Sequence, residues 1–366
     1  MKNISSVTII GMGLMGGSLA AAIKHKEPGI TVTGVDYPKV IEKALSTGIA
    51  DKGEPIKRIS QAAADADLVF LCTPITVILD QLEPVLEACR PGTVVTDMGS
   101  TKARIVEKGR SLEQKNGVFI GGHPMTGREK NGIGNIDPLL YENCVYVLTP
   151  GPSTETQRVK HLAMLLERIG ARVLFMQPGL HDRIAAFVSH MPQLLAVSLA
   201  NLAGDHSGES SNYLRLAAGG FRDMTRIASS PWEVWQDIIE SNTDEIAGAI
   251  DQMCEKLQDT KKLLAQNSLR REFENAAQYR LSIPRDTRGF LLPLYDISVS
   301  ACDRPGVIAA LSTALAREQI NIKDIQVLKV REGESGVFRL ALESEQDRQR
   351  SIELLTEAGF TARARV

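Results

Sequence analysis

The chain is poor in cysteine, lacks any long apolar run and carries almost no net charge, and each shortage narrows what it can be. Five cysteines are spread over 366 residues. Cys72, Cys89, Cys144, Cys254 and Cys302 are odd in number and form no C-x-x-C pair. That pattern argues against a disulfide framework and a zinc site, and for reduced thiols in the cytoplasm. The formal net charge is -2, so nothing marks the whole chain as a binder of nucleic acid or of a membrane surface. No stretch is expected to reach the roughly 18 apolar residues of a membrane span. The opening residues, MKNISSVTIIG, lack the layout of a signal peptide and lead at once into a turn-and-strand pattern. Internal repeats and low-complexity segments are missing too. What remains is chain enough for two or three domains.

The pattern changes twice along the chain. Over residues 1–178, short runs such as VTII (7–10), TVTGV (31–35), LVFLC (68–72), TVVTD (93–97), VFIGG (118–122), CVYVL (144–148) and RVLFM (172–176) alternate with helical stretches. Each run is apolar on both faces, as a strand is when helices cover both sides of its sheet. Strands alternating with helices predict a mostly parallel α/β domain. Over 179–282 the strands stop. Residues 180–202 read as a helix kinked by Pro192, and 231–264 as a second, with Pro231 in its first turn. Helices this long suggest a helical domain that supports a dimer. Residues 283–293, IPRDTRGFLLP, read as a linker. From 294 to 366 the order is βαββαβ, which is ferredoxin-like.

The clearest motif is Gly11-Met-Gly13-Leu14-Met15-Gly16, directly after a strand and opening an apolar helix. In that context Gly11 permits a tight turn, Gly13 lets backbone approach a pyrophosphate, and Gly16 lets helix and strand pack closely. The helix N-terminus offers N–H groups and partial positive charge to phosphates. Asp36 ends the second strand, 20 residues beyond Gly16. A carboxylate there accepts from ribose hydroxyls and repels a 2′-phosphate, favouring NAD over NADP, although Lys39 lies close by. Cys72, Thr73, Pro74 and Thr76 follow another strand and either line the cofactor or form an ordinary strand-to-helix turn.

Oxidation of a hydroxyl needs a base, and histidine is the usual one near neutral pH. Of six histidines, His123 ends a strand and enters the loop HPMTGREKNG, which puts it at the carboxyl edge of the sheet. His25 and His161 sit in charged helical stretches and read as surface residues. Ser100 reads either as an N-cap or as a hydroxyl turned toward His123. His190, in FVSHMPQ, reads more readily as a packed core residue than as a ligand. In GGFRDMTRIASSPWEVW, Arg226 is either a carboxylate clamp or the partner of Asp223 in a salt bridge.

Together GMGLMGGSLA, Asp36, CTPITV, DMGSTK, GGHPMTGREKNG, SHMPQLLA and GGFRDMTRIASSPWEVW resemble the prephenate dehydrogenase family of the tyrosine pathway, in the family's order over roughly residues 5–290. The resemblance implies oxidative decarboxylation of prephenate to 4-hydroxyphenylpyruvate with NAD, and a helical domain that forms a homodimer. It implies that His123 polarises the ring hydroxyl and that Ser100 orients it and touches the cofactor. It places His190 in the substrate pocket, Arg226 on a substrate carboxylate, Asp223 and Trp235 around that pocket and Glu129 at its mouth. Gln193 departs from the pattern, since many relatives carry a second histidine there. The last domain resembles an ACT domain, with its signature turn at Asp303-Arg304-Pro305-Gly306-Val307 and with Asn321 at the start of the second strand. That resemblance implies a small-molecule effector, with L-tyrosine expected. Three other readings are an arogenate dehydrogenase, a sensor that binds ligands without turnover, and a hydroxyacid dehydrogenase using a lysine base. The last finds no lysine in the helix around His190.

Overall fold

The computed structural model describes residues 4–127, 132–152, 154, 156–208, 210, 212–282, 294–302, 304–329 and 335–365. The linker expected over 283–293 therefore lies outside the described residues. The chain divides into two compact units, Met1–Asn267 and Ser268–Val366.

The first unit opens with β1 (Ser6–Ile10), α1 (Leu14–Lys26), β2 (Thr31–Asp36), α2 (Pro38–Ser46), β3 (Lys52–Pro55), α3 (Ile59–Ala64), β4 (Leu68–Leu71), α4 (Ile75–Ala88), β5 (Val94–Asp97) and α5 (Ala103–Ser111). It continues with β6 (Val118–Pro124), β7 (Val145–Thr149), α6 (Thr156–Arg168) and β8 (Arg172–Phe175). The eight strands form one sheet in the order β3-β2-β1-β4-β5-β6-β7-β8. All neighbours are parallel except β6 and β7. Alternate residues enter different cores. Ile9, Leu68, Phe70 and Val94 pack on one face, and Ile10, Val69, Leu71 and Val95 on the other. That is why the runs are apolar throughout. The sequence gives no such run for β3, an edge strand with no buried residue, although β8, at the other edge and also without a buried residue, is apolar. Chain order reverses between β1 and β4, and in such sheets ligands bind beyond the carboxyl ends of the strands at that point.

The rest of the unit is helical: α7 (Pro178–Ala185), α8 (Met191–Asp205), α9 (Asn212–Arg215), α10 (Gly219–Thr225), α11 (Trp232–Ser241) and α12 (Thr243–Ala265). The kink expected at Pro192 takes the form of a π turn over Ala186–His190, between α7 and α8. Proline cannot supply the usual i→i−4 hydrogen bond, and the wider turn accommodates that loss. The single helix expected over 231–264 is broken at Asn242, whose side chain is drawn into the buried network described below. The helical stretch Pro178–Gly208 is long and apolar enough to cross a membrane by length and composition alone, contrary to expectation. It also carries His181, Asp182 and His190, each buried and hydrogen-bonded within the protein.

The second unit holds α13 (Arg270–Ser282), β9 (Tyr295–Cys302), α14 (Val307–Ala316), β10 (Asp324–Lys329), β11 (Ser335–Leu342), α15 (Glu345–Glu357) and β12 (Thr361–Ala364). Its antiparallel sheet runs β10-β11-β9-β12, the ferredoxin-like order. Leu311, Leu315 and Leu355 of the helices pack on Ile297, Val299 and Leu340 of the sheet.

Candidate active site

The glycine turn follows β1. Gly11 has φ +94°, and a Cβ there would sit 2.8 Å from the Cys72 carbonyl oxygen. A Cβ on Gly16 would lie 2.0 Å from the Gly11 carbonyl oxygen, a backbone atom that cannot yield. Gly13 differs: a Cβ there would meet nothing within 4 Å, because the residue faces an open cleft. Gly13 also precedes α1 with no side-chain cap, so the N–H groups of the first turn have no side-chain partner there. Asp36 bends back over the turn, its Oδ2 accepting the Met12 N–H at 2.7 Å and its Oδ1 the Tyr37 N–H at 2.6 Å.

The cleft has a volume of about 520 Å³. Of the residues singled out in the sequence, Gly13, Leu14, Met15, Cys72, Thr73, Pro74, Ser100 and His123 line it. Gly11, Gly16 and Asp36 belong to the turn and strand end behind it. Thr76 is not in the lining, but its N–H and Oγ1 are both 3.0 Å from Oδ2 of Asp237, which is. Ser100 is not an N-cap: α5 starts at Ala103, and its first N–H groups are taken by the Asp182 carboxylate. Asn321 lies before β10, which begins at Asp324, and is exposed. Gly306 has φ +89° and caps α14 beside exposed Arg304 and Pro305, while Val307 turns into the core. Glu129 and Asp303 lie outside the described residues.

His123 joins a chain of buried polar groups. Its Nδ1 is 2.8 Å from Nε2 of His181, whose Nδ1 is 2.7 Å from Asp182 Oδ1. The Asp182 carboxylate also accepts the Lys102 N–H at 2.6 Å and the Ala103 N–H at 2.7 Å. Lys102 Nζ meets Asp97 Oδ2, and both side chains are fully buried. Asp97 in turn accepts the N–H groups of Gly99 and Gly122. Burial holds the His123 imidazole well below its ordinary pKa, and the nearby His181, Lys102 and His190 push the same way. His123 is therefore unprotonated at neutral pH, as a base must be.

His190 lies outside the cleft lining. Its Nδ1 is 3.1 Å from Asn242 Nδ2, which also donates to the Asp182 carbonyl at 2.9 Å. Its ring meets Trp235 edge-on, with centroids 6.0 Å apart. Burial lowers its pKa to about 4, with Asp182 opposing and His181 assisting. Trp235 packs partly against the core beside α4. Asp223 and Arg226 are exposed on α10 and the turn after it, away from the cleft lining. Sequence reasoning missed His181, Asp182, Asp97, Lys102 and Asn242. The one signal for Asp97 and Lys102 was their place at the ends of DMGSTK, which starts on the last residue of a strand.

A glycine turn where the strand order reverses, facing a cleft lined by an unprotonated histidine, is the layout of a nucleotide-dependent dehydrogenase. Comparison with known proteins narrows the class. Residues 19–175 match the prephenate dehydrogenase nucleotide-binding domain, 177–276 the prephenate dehydrogenase dimerization domain and 295–360 the ACT domain. The chain is 34% identical to a prephenate dehydrogenase of Bacillus subtilis (strain 168), covering 94% of each protein. Among solved structures it is similar to prephenate dehydrogenase from A. aeolicus in complex with hydroxyphenyl propionate and NAD+. The TM-score is 0.70 at 30% identity, covering 77% of this chain and 98% of that one. It is also similar to an arogenate dehydrogenase from Synechocystis, with TM-score 0.66 at 28% identity over 75% of this chain and 98% of that one. The chain belongs to the prephenate dehydrogenase family.

Proposed function

We propose that this chain oxidises and decarboxylates prephenate to 4-hydroxyphenylpyruvate, with NAD as the hydride acceptor. The observation that carries the reading is His123, unprotonated and lining the same cleft as the open face of Gly13. The cleft suits a dinucleotide, because the missing Cβ of Gly13 leaves room for a pyrophosphate against uncapped N–H groups. In this reading Gly11, Leu14, Met15, Gly16, Cys72, Thr73, Pro74 and Thr76 hold or support the cofactor, and Asp36 takes the ribose hydroxyls. NAD supplies the hydride acceptor, and the protein supplies orientation and proton control.

His123 takes up the proton of the ring hydroxyl as hydride leaves the same carbon. Loss of CO2 then makes the ring aromatic and leaves the electron pair on that oxygen, which recovers the proton from His123. Ser100, in the same cleft, orients His123 and touches the cofactor. His190 accepts from Asn242 at Nδ1, so its proton sits on Nε2, and it donates to a substrate carboxylate from there. Arg226 clamps a carboxylate, with Asp223, Trp235 and Glu129 around it. Leu216, Met224 and Trp232 are 79%, 68% and 59% exposed, as apolar residues are when a second copy of the chain covers them in a homodimer. The dimerization-domain match supports that assembly. The ACT domain binds L-tyrosine around 303–307 and Asn321 as a feedback effector. The free Cys72, Cys89 and Cys144, the last two held up at about 12 by burial, suit a cytoplasmic enzyme.

The likeness to the Synechocystis enzyme favours a second reading, the same chemistry on arogenate. One assay separates them: NADH or NADPH formation from prephenate and from arogenate, with and without tyrosine. Turnover of prephenate with NAD, suppressed by tyrosine, is the expected result. Turnover of arogenate alone changes the substrate, and no turnover of either from folded, NAD-binding protein leaves a sensor.

Two variants test individual roles. Arg226→Ala is expected to raise KM for prephenate about 10- to 150-fold, the equivalent of one charged hydrogen bond. An unchanged KM removes Arg226 from the substrate. Asp36→Ala is expected to lower the kcat/KM preference for NAD over NADP by about tenfold or more. An unaltered ratio means that Asp36 does not read the ribose.

A further inference from the structure

The proton roles along the chain from His123 are fixed from its far end. Both oxygens of Asp182 accept backbone N–H groups at the start of α5, from Lys102 at 2.6 Å and Ala103 at 2.7 Å. A carboxylate placed against two N–H groups and the positive end of a helix dipole is an acceptor only. His181 Nδ1, 2.7 Å from Oδ1, must therefore carry a proton and donate it. If His181 carries that proton alone, its Nε2 is the acceptor, because a neutral imidazole has one donor and one acceptor nitrogen. That nitrogen lies 2.8 Å from His123 Nδ1, which must then be the donor. The lone pair of His123 is left on Nε2. His181 and Asp182 are 3% and 2% exposed, so water does not compete for these bonds.

We propose that His181 and Asp182 are positioning residues that hold His123 in the Nδ1–H tautomer, with Nε2 as the base presented to the cleft. The proposal deepens the reading of His123 as the group that takes the substrate hydroxyl proton, and rests on it. When Nε2 accepts that proton, the Nδ1–H bond to His181 becomes charge-assisted and strengthens, and His181 in turn leans on the Asp182 carboxylate. No proton leaves through the chain, because the product oxygen recovers it from Nε2. The relay therefore stabilises a transient imidazolium without conducting. His181 does not line the cleft, so it acts on substrate and cofactor through His123.

The test uses the full-length protein labelled with nitrogen-15 at its six histidines, together with steady-state kinetics of His181→Leu and His181→Gln. Imidazole spectra of the unaltered protein are expected to show His123 protonated on Nδ1. His181→Leu, which has no acceptor, is expected to lower kcat roughly 10- to 100-fold, the usual cost of losing the partner that orients a functional histidine. KM should barely change, and the single tautomer of His123 should be lost. His181→Gln, whose carbonyl can accept from Nδ1, is expected to restore most of kcat. His123 found protonated on Nε2, a folded His181→Leu with unaltered kcat, or a folded glutamine variant no better than leucine would each overturn the proposal. If the leucine variant does not fold, the spectrum of the unaltered protein and the glutamine variant still decide. If the unaltered protein turns over no substrate, the activity reading fails, and the spectrum alone decides the tautomer.

Discussion

His123→Ala is expected to lower kcat by roughly 10²–10⁴-fold, the usual scale for a positioned general base. NAD binding should survive. The glycine turn and Asp36 are on β1, α1 and β2, while His123 ends β6 on the other side of the cleft. The loss should be in kcat more than in KM, because the proton moves only as hydride leaves. Titration calorimetry with NAD and initial rates with prephenate check the two halves separately. A near-normal kcat would remove His123 from the chemistry. Lost NAD binding would show instead that the histidine holds the cleft together.

Lys102→Ala is expected to lower stability by about 3–5 kcal/mol, the cost of leaving one member of a buried ion pair alone. Lys102 and Asp97 have no exposed side-chain surface, and they meet at the carboxyl end of β5. Burial lowers the pKa of the ammonium, and the Asp97 carboxylate opposes that shift and holds the charge. Without Lys102, Asp97 keeps, among the described residues, the N–H groups of Gly99 and Gly122. At about 2–4 °C of melting temperature per kcal/mol for a domain of this size, the loss amounts to roughly 6–20 °C. Thermal unfolding measures it, and the double variant Lys102→Met, Asp97→Asn should recover much of it, because the pair is coupled. An unchanged melting temperature for Lys102→Ala would show that water or another cation reaches Asp97.

Much of the sheet was legible because burial on both faces leaves one mark, an unbroken apolar run, as in Leu68–Leu71. β3 left no mark because an edge strand with no buried residue need not be apolar, whereas β8, at the other edge, happens to be. The glycine turn was legible because Gly11 and Gly16 leave no room for a Cβ and Gly13 opens onto the cleft. The chain behind His123 was not. His181 and Asp182 sit side by side in an apolar helix, and nothing in their spacing says that one reaches β6 and the other caps α5. Asn242 was hidden likewise: the apolar pattern runs through it, and only the tertiary bonds to Asp182 and His190 explain why the helix stops there.

The π turn over Ala186–His190 makes the helical spine a device of register. It seats one residue more than an α-helix of the same height, so everything after it is rotated about 100° from where an unbroken helix would put it. Deleting one residue there would relax the backbone into regular α-helix while turning one flank against the other by that angle. His181, before the turn, and His190, at its end, meet opposite ends of one buried network. The extra residue therefore sets the angle at which a single helix presents both histidines to that network.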